Sequence, residues 1–170
     1  MPLVQIEHLK RWLESYQERK QDFEATCERL ERLEARLTSP RSAALSGMPG
    51  AAVSDPDRLT FPVAELQELQ AETKRQAAAL RDLRYRIEAA IKLIDGPGWA
   101  NQRAVLRMRY LDGERWEVIA QLLFWRDPDF LAKQDSYIRR AFKIRKAALR
   151  KLAAHPQITD FTGGENDTRV

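Results

Sequence analysis

Cysteine is nearly absent: Cys27 is the single one in 170 residues. A lone thiol excludes a disulfide framework and a cysteine-based metal site. Histidine is almost as scarce, and His8 and His155 lie toward opposite ends of the chain. No His, Cys and Asp group has the spacing of a metal centre, and no nucleophile stands beside a base. The chain is therefore not expected to be an enzyme, and no catalytic residue, cofactor or metal is assigned. No apolar run approaches the roughly 18–20 residues of a membrane span. The opening Met-Pro-Leu-Val-Gln-Ile-Glu-His has neither the basic start nor the apolar core of a signal peptide. These absences point to the cytoplasm, with no membrane partner. Glycine (7) and proline (8) are few and mostly clustered. The long stretches between them are rich in Ala, Leu, Glu, Arg, Lys and Gln, all good helix formers. Strand-like alternation of useful length is missing too. The expected fold class is all-α.

Two long seams are present. Ile6, Leu9, Leu13, Tyr16, Lys20, Phe23, Cys27, Leu30, Glu34 and Leu37 follow one another at spacings of 3 and 4. That is a heptad seam with two polar breaks, and it predicts a helix over about 3–37. Leu66, Leu69, Thr73, Gln76, Leu80, Leu83, Ile87, Ala90 and Ile94 repeat the pattern and predict a helix over about 63–95. Each helix would be roughly 50 Å long at 1.5 Å per residue. Matched lengths suggest one body over 3–95, a long antiparallel coiled-coil hairpin, with homodimerisation through the same seams as an alternative. Between the seams, 38–61 holds Pro40, Pro49 and Pro56 and no periodicity. It reads as a long loop, either a flexible linker or a structured element with its own partner. It has no Gly-Lys-Ser/Thr and so is no phosphate-binding loop.

Asp95-Gly96-Pro97-Gly98 ends the second seam. Three shorter helices are expected after it, at about 99–110, 114–124 and 134–153. A tail over 155–170 is expected to be disordered. Asp112-Gly113 supplies a tight turn after Tyr110. Trp116, Ile119, Ala120 and Leu123 form a compact apolar face on the second short helix. Tyr137, Ala141, Ile144, Ala148 and Leu152 face one way on the third, helped by Ile138, Leu149 and Phe142. Trp12 and Trp99 read as packing anchors.

The formal net charge of +4 is unevenly spread. Residues 101–155 hold 13 Lys/Arg against 6 Asp/Glu, and the remainder holds 16 against 19. The stretch 136–151 alone has seven basic residues and no acidic one. A helix with one face for a core and another for a polyanion suits double-stranded DNA. A basic face is also what a solvated surface, or a partner for an acidic protein, looks like. The apolar face of the helix before it favours DNA, because two helices crossing on such faces describe a helix-turn-helix. Arg can bridge the two major-groove acceptors of guanine, and Lys can reach the same edge or a phosphate. Ser136 suits an N-cap or a phosphate contact. Arg115, placed just inside the preceding helix, suits the DNA backbone. Lys146 would serve the backbone as well, and Arg150 and Lys151 the backbone, the helix dipole or solubility.

Val105-Leu106-Arg107-Met108-Arg109-Tyr110-Leu111-Asp112-Gly113, followed by Trp116-Glu117-Val118-Ile119-Ala120, resembles region 4 of sigma factors. So does the ending Ala148-Leu149-Arg150-Lys151-Leu152. The order of parts over about 5–153 is similar to small phage- and prophage-encoded sigma-region-4-like regulators. In these a coiled-coil N-terminal half carries a Ser-Gly-Met-Pro signature, here Ser46–Pro49, with a Ser-Asp pair, here Ser54-Asp55. Late-gene activators of the ArpU and RinA type are similar in outline. The resemblance implies a helix-turn-helix without a wing over 99–153, its last helix in the major groove. It also implies regulation of phage or prophage transcription at the bacterial nucleoid, with RNA polymerase as a further partner. The recognition positions carried over are Arg139, Arg140 and Lys143, with Phe142 beside them. The chain departs from the pattern where Phe124–Lys133 replaces a short turn. Trp125, Phe130 and Leu131 either pack there as a structured insert or shift the recognition helix.

Two other readings stand beside this one. A phage small-terminase-like DNA-packaging subunit also joins a helix-turn-helix to oligomerising helices. A coiled-coil interaction adaptor would use its basic helix on an acidic protein instead of DNA.

Overall fold

The computed structural model describes residues 3–38 and 57–163, and every regular element among them is helical. The elements are α1 (Leu3–Thr38), α2 (Asp57–Lys92), α3 (Ala100–Leu106), α4 (Trp116–Phe124), α5 (Gln134–Ala153) and α6 (Ile158–Thr162). A π-helical turn, Arg107–Leu111, continues α3. The Ser46–Pro49 signature and Ser54-Asp55 lie outside the described residues, as does the tail from 164. No described helix is long and apolar enough to cross a membrane.

α2 starts earlier than its seam. Pro62 sits in its second turn, where the ring removes the amide donor that would otherwise bond the Arg58 carbonyl. The chain after His155 does not begin as an unstructured tail. Ile158 is buried, Phe161 packs against the same core, and the Arg86 guanidinium donates to the Phe161 carbonyl. Two apolar residues three apart were enough to seat a one-turn helix that polar composition concealed.

The chain divides into two compact units, Lys20–Ala79 and Met1–Arg19 with Leu80–Val170. In Lys20–Ala79 the seam is mostly half-buried: Phe23, Cys27, Leu30, Leu66, Thr73 and Gln76 each keep some exposure, and Leu69 is buried. Two helices alone can cover no more of a seam than this. Arg29 donates to Glu65 at 2.9 Å and Gln70 to Glu34 at 3.4 Å, tying α1 to α2. Exposed pairs of this kind contribute less than about 1 kcal/mol each.

In the other unit the same 3–4 spacing is fully buried. Leu9, Trp12, Leu13 and Tyr16 from α1 join Leu83, Ile87, Ala90, Ile91 and Ile94 from α2 and its end. Leu106, Tyr110, Leu111, Ala148, Leu149, Leu152, Ala153 and Ile158 complete this first core. The division therefore differs from the expected boundary at 95–99, because the seam ends are core partners of the C-terminal helices. A second core gathers Val105, Ile119, Ala120, Phe124, Phe130 and Ala141. α3 and α5 each supply residues to both cores. On α3 the adjacent pair Val105 and Leu106 divides between them, since neighbouring helical residues point about 100° apart.

The expected helix over 99–110 is thus not uniform. The amide of Asp112 bonds to the Arg107 carbonyl at 3.1 Å, an i to i−5 step, and Glu114 N reaches Met108 O at 2.9 Å. Widening the last turn lets both Tyr110 and Leu111 reach the first core while Met108 packs on the second.

Candidate nucleic-acid interface

The turn before α4 is built from three sides. Gly113 takes a left-handed φ of 74°. Arg109 Nη1 donates to the Glu114 carbonyl at 3.1 Å, and Gln17 Nε2 donates to the carbonyls of Tyr110 (3.0 Å) and Leu111 (2.9 Å). Arg115 is extended (φ −74°, ψ 155°), and its carbonyl accepts the bond from Ile119 N at 3.0 Å. The expected start of this helix at 114 is therefore two residues early. Arg115 stands exposed ahead of α4 instead of inside it, since the Glu114 carbonyl is held by Arg109.

α4 packs on α5 through the second core. Ala120 and Ala141 are both fully buried there, and such small side chains permit close approach of two helices. At the edge of this contact Trp116 and Phe142 stack with ring centres 4.1 Å apart. Arg109 and Arg145 approach the Trp116 ring at 5.4 and 5.2 Å, and Arg145 is 5.5 Å from the Phe142 ring. Phe142 is 38% exposed. It is thus a wedge at the rim of the α4–α5 contact, with one face still open beside the basic residues.

The segment between α4 and α5 is ordered by turns. Asp127 N bonds to Phe124 O, Phe130 N to Asp127 O, and Lys133 N to Asp129 O, at 2.9 to 3.0 Å. Phe130 is buried, and Tyr137 lies 5.5 Å from it and 5.2 Å from Phe124. Burial, and then the Asp127 charge, raise the Tyr137 phenol above its ordinary range. Trp125 and Leu131 remain 62% and 90% exposed. Of Trp125, Phe130 and Leu131, for which packing here and shifting the recognition helix are the two alternatives, only Phe130 packs into the core.

Arg140 belongs to this segment. Its guanidinium lies 4.8 Å from the Phe124 ring centre and 3.9 Å from Asp127 Oδ2. Ser136 is the third residue of α5, and Lys133 precedes the helix. The N-cap role considered for Ser136 is therefore not realised, and its side chain is exposed. Lys151 donates to the Asp95 carbonyl at 3.0 Å and lies 3.9 Å from the Trp99 ring centre. Arg140, Arg145 and Lys151 are thus engaged within the fold.

Arg139, Lys143, Lys146 and Arg150 are different. With Ser136 they recur at spacings of 3, 4, 3 and 4, so they line one stripe of α5. All are exposed, and none forms an ion pair with a described carboxylate. Four like charges left in a row find their counterions outside the fold. Three of these cations, with Lys10 and Arg145, also line a groove of about 500 Å³ whose floor includes Ile6 and Leu149, with Glu7 at its edge. Arg150 was the member least visible in the sequence, because it lies far from the helix start. The 3–4 count from Arg139 is the signal that finds it. Among the described residues no group of three or more His, Cys, Asp or Glu side chains is placed to hold a metal ion.

These features define an all-helical protein whose fifth helix carries an outward cationic stripe on a packed two-helix support. No protein-family model, curated protein or solved structure matches the chain.

Proposed function

We propose that the chain is a sequence-specific, double-stranded-DNA-binding transcriptional regulator in which α4 and α5 act as a helix-turn-helix. The observation that carries the reading is the stripe Arg139–Lys143–Lys146–Arg150, exposed and without a carboxylate partner among the described residues. Polyanion binding is driven by release of counterions from phosphates, and an unpaired cationic row suits it. α5 enters the major groove in this reading, with Arg139 near its start at base edges. Lys143, Lys146, Arg150 and Arg115 follow the backbone. The sigma-region-4 likeness of Val105–Ala120 adds regulation of phage or prophage genes, with RNA polymerase as a further partner. The seams of α1 and α2 form an antiparallel coiled-coil arm that serves polymerase contact or homodimerisation.

The test is duplex binding by the purified chain across salt concentration, with the target found by random-library selection. Four phosphate contacts predict a slope of log K against log salt of about −3.6. Binding without salt dependence, or no duplex binding, overturns the proposal. Symmetric half-sites in the selected sequences would report a dimer on DNA.

A further inference from the structure

Leu131 is 90% exposed although its neighbour Phe130 is buried. The backbone around it is fixed: Lys133 N bonds to Asp129 O and Phe130 O, Ser136 N bonds to Lys133 O, and Lys133 Nζ meets Asp129 at 2.7 Å. Leu131 is therefore held outward by an ordered turn. It lines a shallow concavity of about 470 Å³ with Lys133, Gln134, Asp135, Ser136 and Arg139. Lys133 is engaged by Asp129. The side chains of Gln134, Asp135, Ser136 and Arg139 make no hydrogen bond or ion pair with a described residue. Arg139 belongs both to this concavity and to the cationic stripe, so the two surfaces are continuous.

The chemistry offered here matches the four base edges of a major groove. A glutamine amide pairs with adenine, a carboxylate accepts from the cytosine amine, a guanidinium bridges guanine, and an apolar group meets the thymine methyl. Phe142 is the large apolar side chain beside the Lys143–Arg150 part of the stripe; at the Arg139 end Leu131 supplies one from the preceding turn.

Resting on the duplex-binding reading above, we infer that Leu131 is a specificity-determining residue that contacts the C5 methyl of one thymine beside the base met by Arg139. The segment before α5 thereby extends the reading surface beyond the recognition helix.

The test uses the full chain and the duplex it selects. Each thymine of the selected site is replaced in turn by deoxyuridine, which removes only the methyl. One replacement should weaken wild-type binding about fourfold, the worth of one buried carbon. Leu131→Ala should weaken binding to the methylated site by a similar factor and abolish the thymine-deoxyuridine difference. Leu131→Met should keep the difference. The position is exposed, so both variants should melt like the wild type. Wild-type binding insensitive to every thymine methyl, or a Leu131→Ala variant that still discriminates, overturns the role of Leu131 while duplex binding stands. Failure of the wild type to select any duplex overturns the underlying reading and this inference with it.

Discussion

The side-chain amide of Gln17 occupies the space that a β-carbon on Gly113 would need: its Oε1 lies 2.9 Å from that position. The same amide donates to the Tyr110 and Leu111 carbonyls, so it cannot withdraw without leaving both unpaired. Gly113→Ala should therefore cost more than the roughly 1–2 kcal/mol of a left-handed alanine. Urea unfolding checks this. In a Gln17→Ala background the additional cost should shrink toward the backbone term alone. An equal cost in both backgrounds would show that the side chain moves freely aside.

The basic residues of α5 should separate into two groups by salt dependence. Lys143→Ala, Lys146→Ala and Arg150→Ala should each lower the magnitude of the salt slope by about 0.9 and weaken all duplexes evenly. Arg139→Ala should cost roughly 1–3 kcal/mol on the selected site and relax one base position. Arg140→Ala should act mainly on stability, because its guanidinium meets Asp127 and Phe124. A base-specific loss in Arg140→Ala with unchanged melting would contradict its structural assignment.

The segment between α4 and α5 should behave as core at one residue and as surface at another. Phe130→Ala should cost about 3–5 kcal/mol, as for other buried aromatics, since its ring packs beside Tyr137. Trp125→Ala should stay within about 0.5 kcal/mol, the usual effect at an exposed site. Paired denaturation curves decide it, and equal losses would mean the segment packs differently.

Stability should fall at high pH. Burial pushes the Tyr110 phenol above its ordinary range, outweighing the pull of the Arg145 guanidinium, and its hydroxyl makes no hydrogen bond of good geometry to a described residue. The neutral phenol is favoured in the folded state, so the folded chain holds its proton longer than the unfolded chain. The contribution is complete below the unfolded value near 10 and is lost as pH rises toward the raised folded one. Tyr137 acts in the same direction. Tyr110→Phe should leave neutral-pH stability unchanged or slightly higher, and thermal melts between about pH 9 and 11 should show a shallower decline. A decline as steep as the wild type's would place the effect elsewhere.

Much of the fold was legible as spacing. The 3–4 seams located α1 and α2, and the apolar face of Tyr137, Ala141, Ala148 and Leu152 located α5 with its ends at 134 and 153. Spacing along a helix says nothing of what lies across from it, however. It could not show that Leu9 and Ile87 share a core with Leu152. The cationic stripe was half legible: its charges were evident, but Arg140, Arg145 and Lys151 look the same as Arg139 in sequence. Only the positions of Phe124, Asp127, Trp116 and Trp99 separate them. Gln17 gave no signal, because its partners are backbone carbonyls more than ninety positions away.

The π-helical turn at Arg107–Leu111 makes the length of this stretch as strict a requirement as its composition. Each residue advances an α-helix by about 100°. The widened turn already absorbs one residue more than an α-helical turn holds, so one further residue inserted before Tyr110 would rotate everything beyond it by that angle relative to Val105 and Leu106. Tyr110 and Leu111 would leave the first core, and Gly113 would lose its place against Gln17. A change of side chain at exposed Arg107 should pass almost unnoticed, whereas a single-codon insertion beside it should be among the most damaging the chain can suffer.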